Sequence, residues 1–388
     1  MSSLDVILVA AAAAAATGGY RLGLLMRATS WLGLLIGVFI VSRFLPFTLR
    51  ELRTDLQPDA LLLVAVGILA FGGLVGQALG LVVGQRLHLA IRTRRLRRID
   101  HVLGAVGGVL GVLLAIWVLA PAMASIPGWS ARETRNSAIV REVHRFLPQS
   151  PDTARSMRRL LGAGYPDVFD ALRPAPRVGP APSASGLTET QADRIAASTV
   201  KVLGPACGLE QEGSGFVVAP DIVATNAHVV AGENRTYVLR DNGEELRAVP
   251  VAFDPKRDLA LLRVEGLDQP ALPLLDSQEG MTGGVFGHPH GGPLTISPFR
   301  VDQVTTVSGS DIYSQGRTTR RVLYLASELA PGDSGAALVT PAGQVVGVAF
   351  AIAPDRPGVA YALATSELRA MLGTASSSEV DTGSCVAG

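Results

Sequence analysis

Lysine is nearly missing from this chain: of 34 basic residues only Lys201 and Lys256 are lysine, and the rest are arginine. The 33 acidic residues bring the net charge to +1 at pH 7. The chain therefore has no positive excess of the kind that binds a phosphate backbone, and no nucleic-acid partner is expected. Cysteine is as scarce, with Cys207 and Cys385 alone. There is no C-x-x-C, the six histidines are scattered, and no Cys/His cluster has metal-ligand spacing, so neither a metal nor a cofactor is expected. Charged residues make up 17% and aromatics 5%, against 48% hydrophobic and a mean hydropathy of +0.33. That balance is too apolar for a wholly soluble chain, and 388 residues suffice for two or three domains.

The apolar excess is concentrated at the N-terminal end. Runs at about 4–19, 28–46, 60–84 and 102–124 approach the length of a membrane span. The first run lacks a preceding basic residue, so it is taken as a span and not as a leader. Arginine placement sets the expected orientation. Arg21 and Arg27 lie between spans one and two, and Arg86, Arg92, Arg94, Arg95, Arg97 and Arg98 between spans three and four. In the loop between spans two and three, Arg50 and Arg53 are offset by Glu51, Asp55 and Asp59. The positive-inside rule puts the arginine-rich loops in the cytoplasm and everything after residue 125 outside. Gly72, Gly76, Gly80 and Gly84 recur every fourth residue, as do Gly104 and Gly108, which suits close helix packing within one bundle. Asp5, at the edge of the first span, is expected to face water.

The rest changes character in steps. Residues 130–172 show helical spacing of apolar positions, and Pro174 to Ser185 read as an extended, semi-flexible linker. From about residue 197, short β-branched runs alternate with Gly/Pro turns, the pattern of an all-β sandwich or barrel. Three stretches in this half carry chemistry. Gly332-Asp-Ser-Gly335 sets a serine between two glycines, Ala224-Thr-Asn-Ala-His-Val-Val230 contains His228, and Asp258 precedes the apolar run Leu259-Ala-Leu. The order His, Asp, Ser suits a nucleophilic serine with its base and an orienting acid. With Gly213-Ser-Gly-Phe-Val-Val218 and Gly343-Gln-Val-Val-Gly-Val-Ala349, these motifs resemble the trypsin-like serine proteases of the HtrA/Deg type over about 197–372. Leu4-Asp5-Val6, Gly19 to Leu24 and Asp100-His-Val-Leu-Gly104 resemble the colicin-V-production (CvpA) membrane family. The combination is similar to the actinobacterial acid-resistance periplasmic serine proteases.

The protease resemblance implies a chymotrypsin-like double β-barrel with the site between the barrels. The expected architecture is thus a four-helix transmembrane bundle over 1–125, an outer helical segment with a Pro-rich linker over 126–186, and the protease domain over 187–388. Ser334 is the expected nucleophile, His228 the general base and Asp258 its orienter, with the N–H groups of Gly332 and Ser334 as the oxyanion hole. Asp254 also precedes the strand, but the family pattern favours Asp258. Glu328 takes the place of a pocket-floor residue, and Phe350, Ala351 and Ile352 that of the pocket wall. Position 336 is Ala where the family usually has Gly, and 333 is Asp where HtrA proteins usually have Asn. In digestive relatives that aspartate pairs with a new N-terminus, for which Arg194-Ile195 is a candidate cut site.

The function expected is a multi-pass cell-membrane protein with an extracytoplasmic (periplasmic) serine endopeptidase domain acting on proteins or peptides in envelope stress or acid resistance. The alternative is a membrane transport or scaffold protein whose outer domain binds peptides without cutting them. An oxidising compartment permits a disulfide between Cys207 and Cys385, the single internal pairing available.

Overall fold

The computed structural model describes residues 2–52, 58–89, 93–125, 128–147, 174–206 and 209–386. Two compact units emerge, one of residues 1–120 and 136–151, the other of 121–135 and 152–388.

In the first unit, four helices are long and apolar enough to cross a membrane. They are α1 (Ser3–Leu22), α2 (Leu24–Leu52), α3 (Pro58–Leu89) and α4 (Arg94–Ser125); of the short helices that follow, α5 (Trp129–Asn136) falls in the second unit but for its last residue, whereas α6 (Ala138–Phe146) belongs to the first. Each long helix extends beyond its apolar run, because hydrogen bonding continues into the polar flanks. The glycine positions seam the helices together. A Cβ on Gly33 would lie 2.2 Å from the Gly76 carbonyl oxygen, and one on Gly37 2.2 Å from that of Gly72. On α4, Gly104 meets Gly19 and Gly23, and Gly108 meets the Ala15 carbonyl. The small-residue ladders thus serve packing within one bundle. Outward positions such as Phe39, Phe71, Leu74 and Leu79 are exposed, as lipid-facing residues would be.

Asp5 does not face water; only 1% of its surface is exposed. Its carboxylate closes a capping box with Ser2 at the start of α1. It also accepts the Ser137 hydroxyl at 2.5 Å and the N–H groups of Ile139 and Ala138 at 3.2 and 3.3 Å. One carboxylate therefore caps two helices, because the first-turn N–H groups of α6 have no partner within their own helix.

The second unit is built on two closed six-stranded antiparallel barrels, in the strand orders β1-β2-β3-β6-β5-β4 and β10-β11-β12-β9-β8-β7. The first comprises β1 (Thr199–Ala206), β2 (Leu209–Ala219), β3 (Ile222–Thr225), β4 (Thr236–Leu239), β5 (Glu245–Asp254) and β6 (Leu259–Arg263). The second comprises β7 (Thr282–Gly287), β8 (Thr295–Ser310), β9 (Arg317–Ala326), β10 (Ala337–Val339), β11 (Val345–Ile352) and β12 (Val359–Ala364). Helices α7 (Glu189–Ala196), α8 (Ala227–Val230) and α9 (Thr365–Leu372) complete it. Val200, Val202, Val223, Val238 and Leu262 fill the first barrel, and Val285, Phe299, Leu323, Leu338 and Val346 the second. Closure leaves no unpaired sheet edge.

Two connecting segments lie on this unit. The residues predicted as a semi-flexible linker carry no helix or strand, yet Ala175 is buried and Val178 packs against the core. Small apolar side chains next to proline gave them a surface to bury. Arg135 of α5 forms an ion pair at 3.3 Å with Asp355, and both side chains are nearly wholly buried. Asp355 also accepts the Ala175 N–H at 3.0 Å. The tail runs along the first barrel, with Ser376 and Val380 N–H donating to Val251 and Pro250 and the buried Thr382 bonded to Gly232 and Glu233. Most of the helical segment predicted over 130–172, from residue 148 on, lies outside the described residues.

Candidate active site

His228 is placed at the end of β3. Thr225 and Asn226 lead into the single turn α8, whose four residues are all buried. The His228 ring Nδ1 lies 2.8 Å from Asp258 Oδ2 and 3.0 Å from Oδ1, and the His228 backbone N–H donates to Oδ1 at 3.0 Å. A carboxylate can only accept, so Nδ1 carries a proton, and in the neutral imidazole the lone pair is then on Nε2. Nε2 is buried and has no hydrogen-bond partner among the described residues.

Asp258 is fully buried and sits at φ 62°, a left-handed conformation that aspartate tolerates better than most residues. Its N–H donates to the Asp254 carbonyl, and its own carbonyl accepts from Asn226 Nδ2 at 2.8 Å. Asp254 is occupied elsewhere. It accepts the N–H groups of Lys256 and Arg257 and pairs with the Arg257 guanidinium at 2.6 Å. Of the two acids ahead of β6, Asp258 is therefore the one that touches His228.

Ser334 lies in the turn between β9 and β10, with Gly332 at φ 98° and Gly335 at φ 87°. Both glycines are also required by space: a Cβ on Gly332 would come 2.3 Å from the His288 carbonyl oxygen, and one on Gly335 2.0 Å from that of Ser214. The turn and the histidine helix meet over Gly213. A Cβ placed there would lie 2.6 Å from the Val229 methyls and 3.1 Å from the Ser334 carbonyl oxygen. Serine and histidine thus approach from different barrels, with no hydrogen bond between them in this state.

The backbone of the turn has a consistent orientation. The Pro331 carbonyl accepts from the His290 N–H, and the Asp333 carbonyl from the Ala336 N–H. In a trans peptide the C=O and N–H point opposite ways. The N–H groups of Gly332 and Ser334 are thereby turned away from both contacts, and neither donates to backbone among the described residues. Two spare donors beside a serine form a receptor for developing negative charge.

Asp333, next to Ser334, is buried and accepts the Ala330 N–H at 2.8 Å. Burial pushes its carboxyl up to about 6. The candidate cut site Arg194-Ile195 lies within α7, with Ile195 buried. Of the residues assigned to the substrate pocket, Glu328 is exposed and Phe350 lies wholly in the core. Ala351 is buried beside it, and Ile352 is half-buried at the end of β11. Cys207 lies outside the described residues. Cys385 sits against Gly232, and no free cysteine occurs among the described residues. The contacts of Asn226, Thr225 and Ser214 were not apparent from sequence. The G-S-G motif held Ser214, but its partners come from distant segments.

A double barrel with a serine turn facing an Asp-bound histidine, joined to four apolar helices, defines a serine endopeptidase of the trypsin-like class with a colicin-V-production type membrane part. Family models agree: one described as a trypsin-like peptidase domain matches residues 213–348, and one described as colicin V production protein matches 4–148. The chain belongs to the family of the Mycobacterium tuberculosis serine protease Rv3671c, to which it is 31% identical over 395 residues, covering 99% of this chain and 98% of the relative. The crystal structure of the active form of the Rv3671c protease matches with a TM-score of 0.50 at 34% identity, covering 55% of this chain and 98% of that one. The mitochondrial serine protease HTRA2 of Bos taurus is 30% identical over 221 residues, covering 54% of this chain and 48% of its own.

Proposed function

We propose that this serine endopeptidase is a membrane-anchored, extracytoplasmic enzyme in which Ser334, His228 and Asp258 form the catalytic triad. The observation that carries the triad is the Asp258 carboxylate on His228 Nδ1, which leaves an unpartnered Nε2 as the proton acceptor. Ser334 Oγ attacks the peptide carbonyl and His228 Nε2 takes its proton. Asp258 stabilises the imidazolium, which then protonates the leaving amine. The Gly332 and Ser334 N–H groups hold the oxyanion. The peptide or protein substrate enters beside Glu328 and the end of β11.

The arginine-rich loops between spans one and two and between spans three and four support cytoplasmic placement of those loops and an outer, periplasmic protease domain. In this reading residues 1–125 are the membrane domain, 126–186 the connecting segment and 187–388 the protease. A disulfide between Cys207 and Cys385 would hold the tail on the first barrel. The resemblance to acid-resistance proteases supports a role in envelope stress or acid tolerance.

A fluorophosphonate probe applied to the full-length chain in membranes tests the catalytic assignment. Labelling is expected in the wild type and absent in Ser334→Ala. In both Ser334→Ala and His228→Ala, peptide hydrolysis should fall by roughly a millionfold. Labelling that survives in Ser334→Ala refutes the assignment.

A further inference from the structure

Gly332 has the conformational freedom to turn either of its flanking peptides, so the orientation of its N–H must be imposed from outside the turn. One restraint is the His290 N–H on the Pro331 carbonyl. On the other flank the Gly332–Asp333 peptide is held twice, by its N–H on the Ala330 carbonyl at 3.1 Å and by the hydroxyl of Ser214, a fully buried residue of β2, which donates to the Gly332 carbonyl at 2.7 Å. The same hydroxyl accepts the His288 N–H at 2.9 Å. It therefore also fixes the short turn that carries His290 to Pro331. The Ser214 backbone N–H donates to the Ser334 carbonyl at 2.8 Å, and its carbonyl accepts the Thr225 hydroxyl at 2.7 Å, three residues before His228. Ser214 is a node where the strand leading to the base, the serine turn and the His288–His290 turn converge.

We propose that Ser214 is a positioning residue for peptide hydrolysis: its hydroxyl holds the Gly332–Asp333 peptide directly and, through the His288–His290 turn, holds the Pro331–Gly332 peptide, so that the Gly332 N–H faces the oxyanion. This rests on the reading of Ser334 as nucleophile and of the Gly332 and Ser334 N–H groups as the oxyanion hole. A hydroxyl can accept from one N–H and donate to one C=O at a single atom. Alanine can do neither, and leaves the His288 N–H and the Gly332 C=O without their partner. Losing one oxyanion donor lowers kcat by roughly a hundred- to a thousandfold. Once the turn that holds the Pro331 carbonyl loosens, a Pro331–Gly332 peptide that samples both orientations should forfeit part of that.

The test uses the full-length protein in detergent with a chromogenic peptide substrate. Ser214→Ala is expected to lower kcat by about ten- to a hundredfold with little change in KM. Its affinity for a peptide aldehyde, whose adduct places an oxygen in the hole, should fall by a similar factor. Affinity for the cleaved product peptide should not change. Ser214→Thr keeps the hydroxyl and should restore most of kcat. Ser214→Cys, with a weak donor in nearly the same shape, serves if Ser214→Ala does not fold, and should show the same losses. A folded Ser214→Ala or Ser214→Cys with wild-type kcat and aldehyde affinity overturns the proposal. So does a loss confined to KM or to the melting temperature. Full activity in Ser334→Ala would instead overturn the triad, a separate failure.

Discussion

Glu233 offers a direct reading of how this fold responds to acid. It follows α8, is 8% exposed, and its Oε2 accepts the Thr236 hydroxyl at 2.5 Å. Its Oε1 is buried without a partner among the described residues. Arg235, Arg247, Glu379 and Asp381 line the same polar cleft, but none forms an ion pair with it among the described residues. Burial pushes the Glu233 carboxyl from 4.5 up to about 7. The folded chain thus binds this proton more tightly than the unfolded chain does. Its contribution to stability is complete below pH 4.5 and is lost as pH rises through about 7. The difference corresponds to roughly 3 kcal/mol at pH 8. Glu233→Gln keeps an acceptor for Thr236 and cannot ionise. Thermal melting of the full-length chain should show the variant more stable than wild type at pH 8 by roughly 6–12 °C. At pH 5 the gap should shrink to about 1 kcal/mol. A gap that stays constant between pH 5 and pH 8 would refute the argument, because only a titrating carboxyl makes it close.

Four further outcomes follow from contacts described above. Asp258→Asn should lower kcat by about ten-thousandfold in a peptide-cleavage assay, whereas Asp254→Asn, which touches Arg257 and not His228, should stay within about tenfold of wild type; the reverse ranking would assign the wrong acid. Arg135→Met leaves the buried Asp355 carboxylate without its cation and should cost about 3–5 kcal/mol in unfolding experiments, with partial recovery in Arg135→Met/Asp355→Asn. A reporter fused after residue 125 should be active outside the cytoplasm and one at Arg95 inside, and the opposite pattern would overturn the orientation. Reductant should lower the melting temperature of the wild type and leave Cys207→Ser/Cys385→Ser unchanged; two titratable thiols in the oxidised protein would remove the proposed disulfide.

The chemistry-bearing segments were legible because each is defined locally. Glycines flank Ser334, His228 follows a strand end, and Asp258 opens one, so each motif can be recognised from its own few residues, although the contacts that orient it come from elsewhere. What was hidden depends on partners far along the chain. Ser214 meets Gly332 across 118 residues and Arg135 meets Asp355 across 220. No local pattern encodes either. Composition alone makes Pro174–Ser185 a spacer, but Ala175 and Val178 pack on an apolar surface that composition does not reveal. The burial of Asp5 is hidden for the same reason, since the second helix it caps begins 133 residues later. Helix ends overran the apolar runs because hydropathy reports where the chain prefers lipid, whereas helix length is set by backbone hydrogen bonding.

The seam between α2 and α3 has a genetic consequence. At most packed interfaces a residue that grows can be accommodated by a facing residue that shrinks, and second-site suppressors arise that way. Gly33 faces the backbone of Gly76, and Gly37 that of Gly72, so the facing position is already the smallest residue available. A side chain added at Gly72 first meets the Val41 side chain, which can shrink, whereas one at Gly33, Gly37 or Gly76 meets backbone and has no compensating change across the contact. Suppressors of such a variant would have to move a helix as a whole, from positions outside the seam.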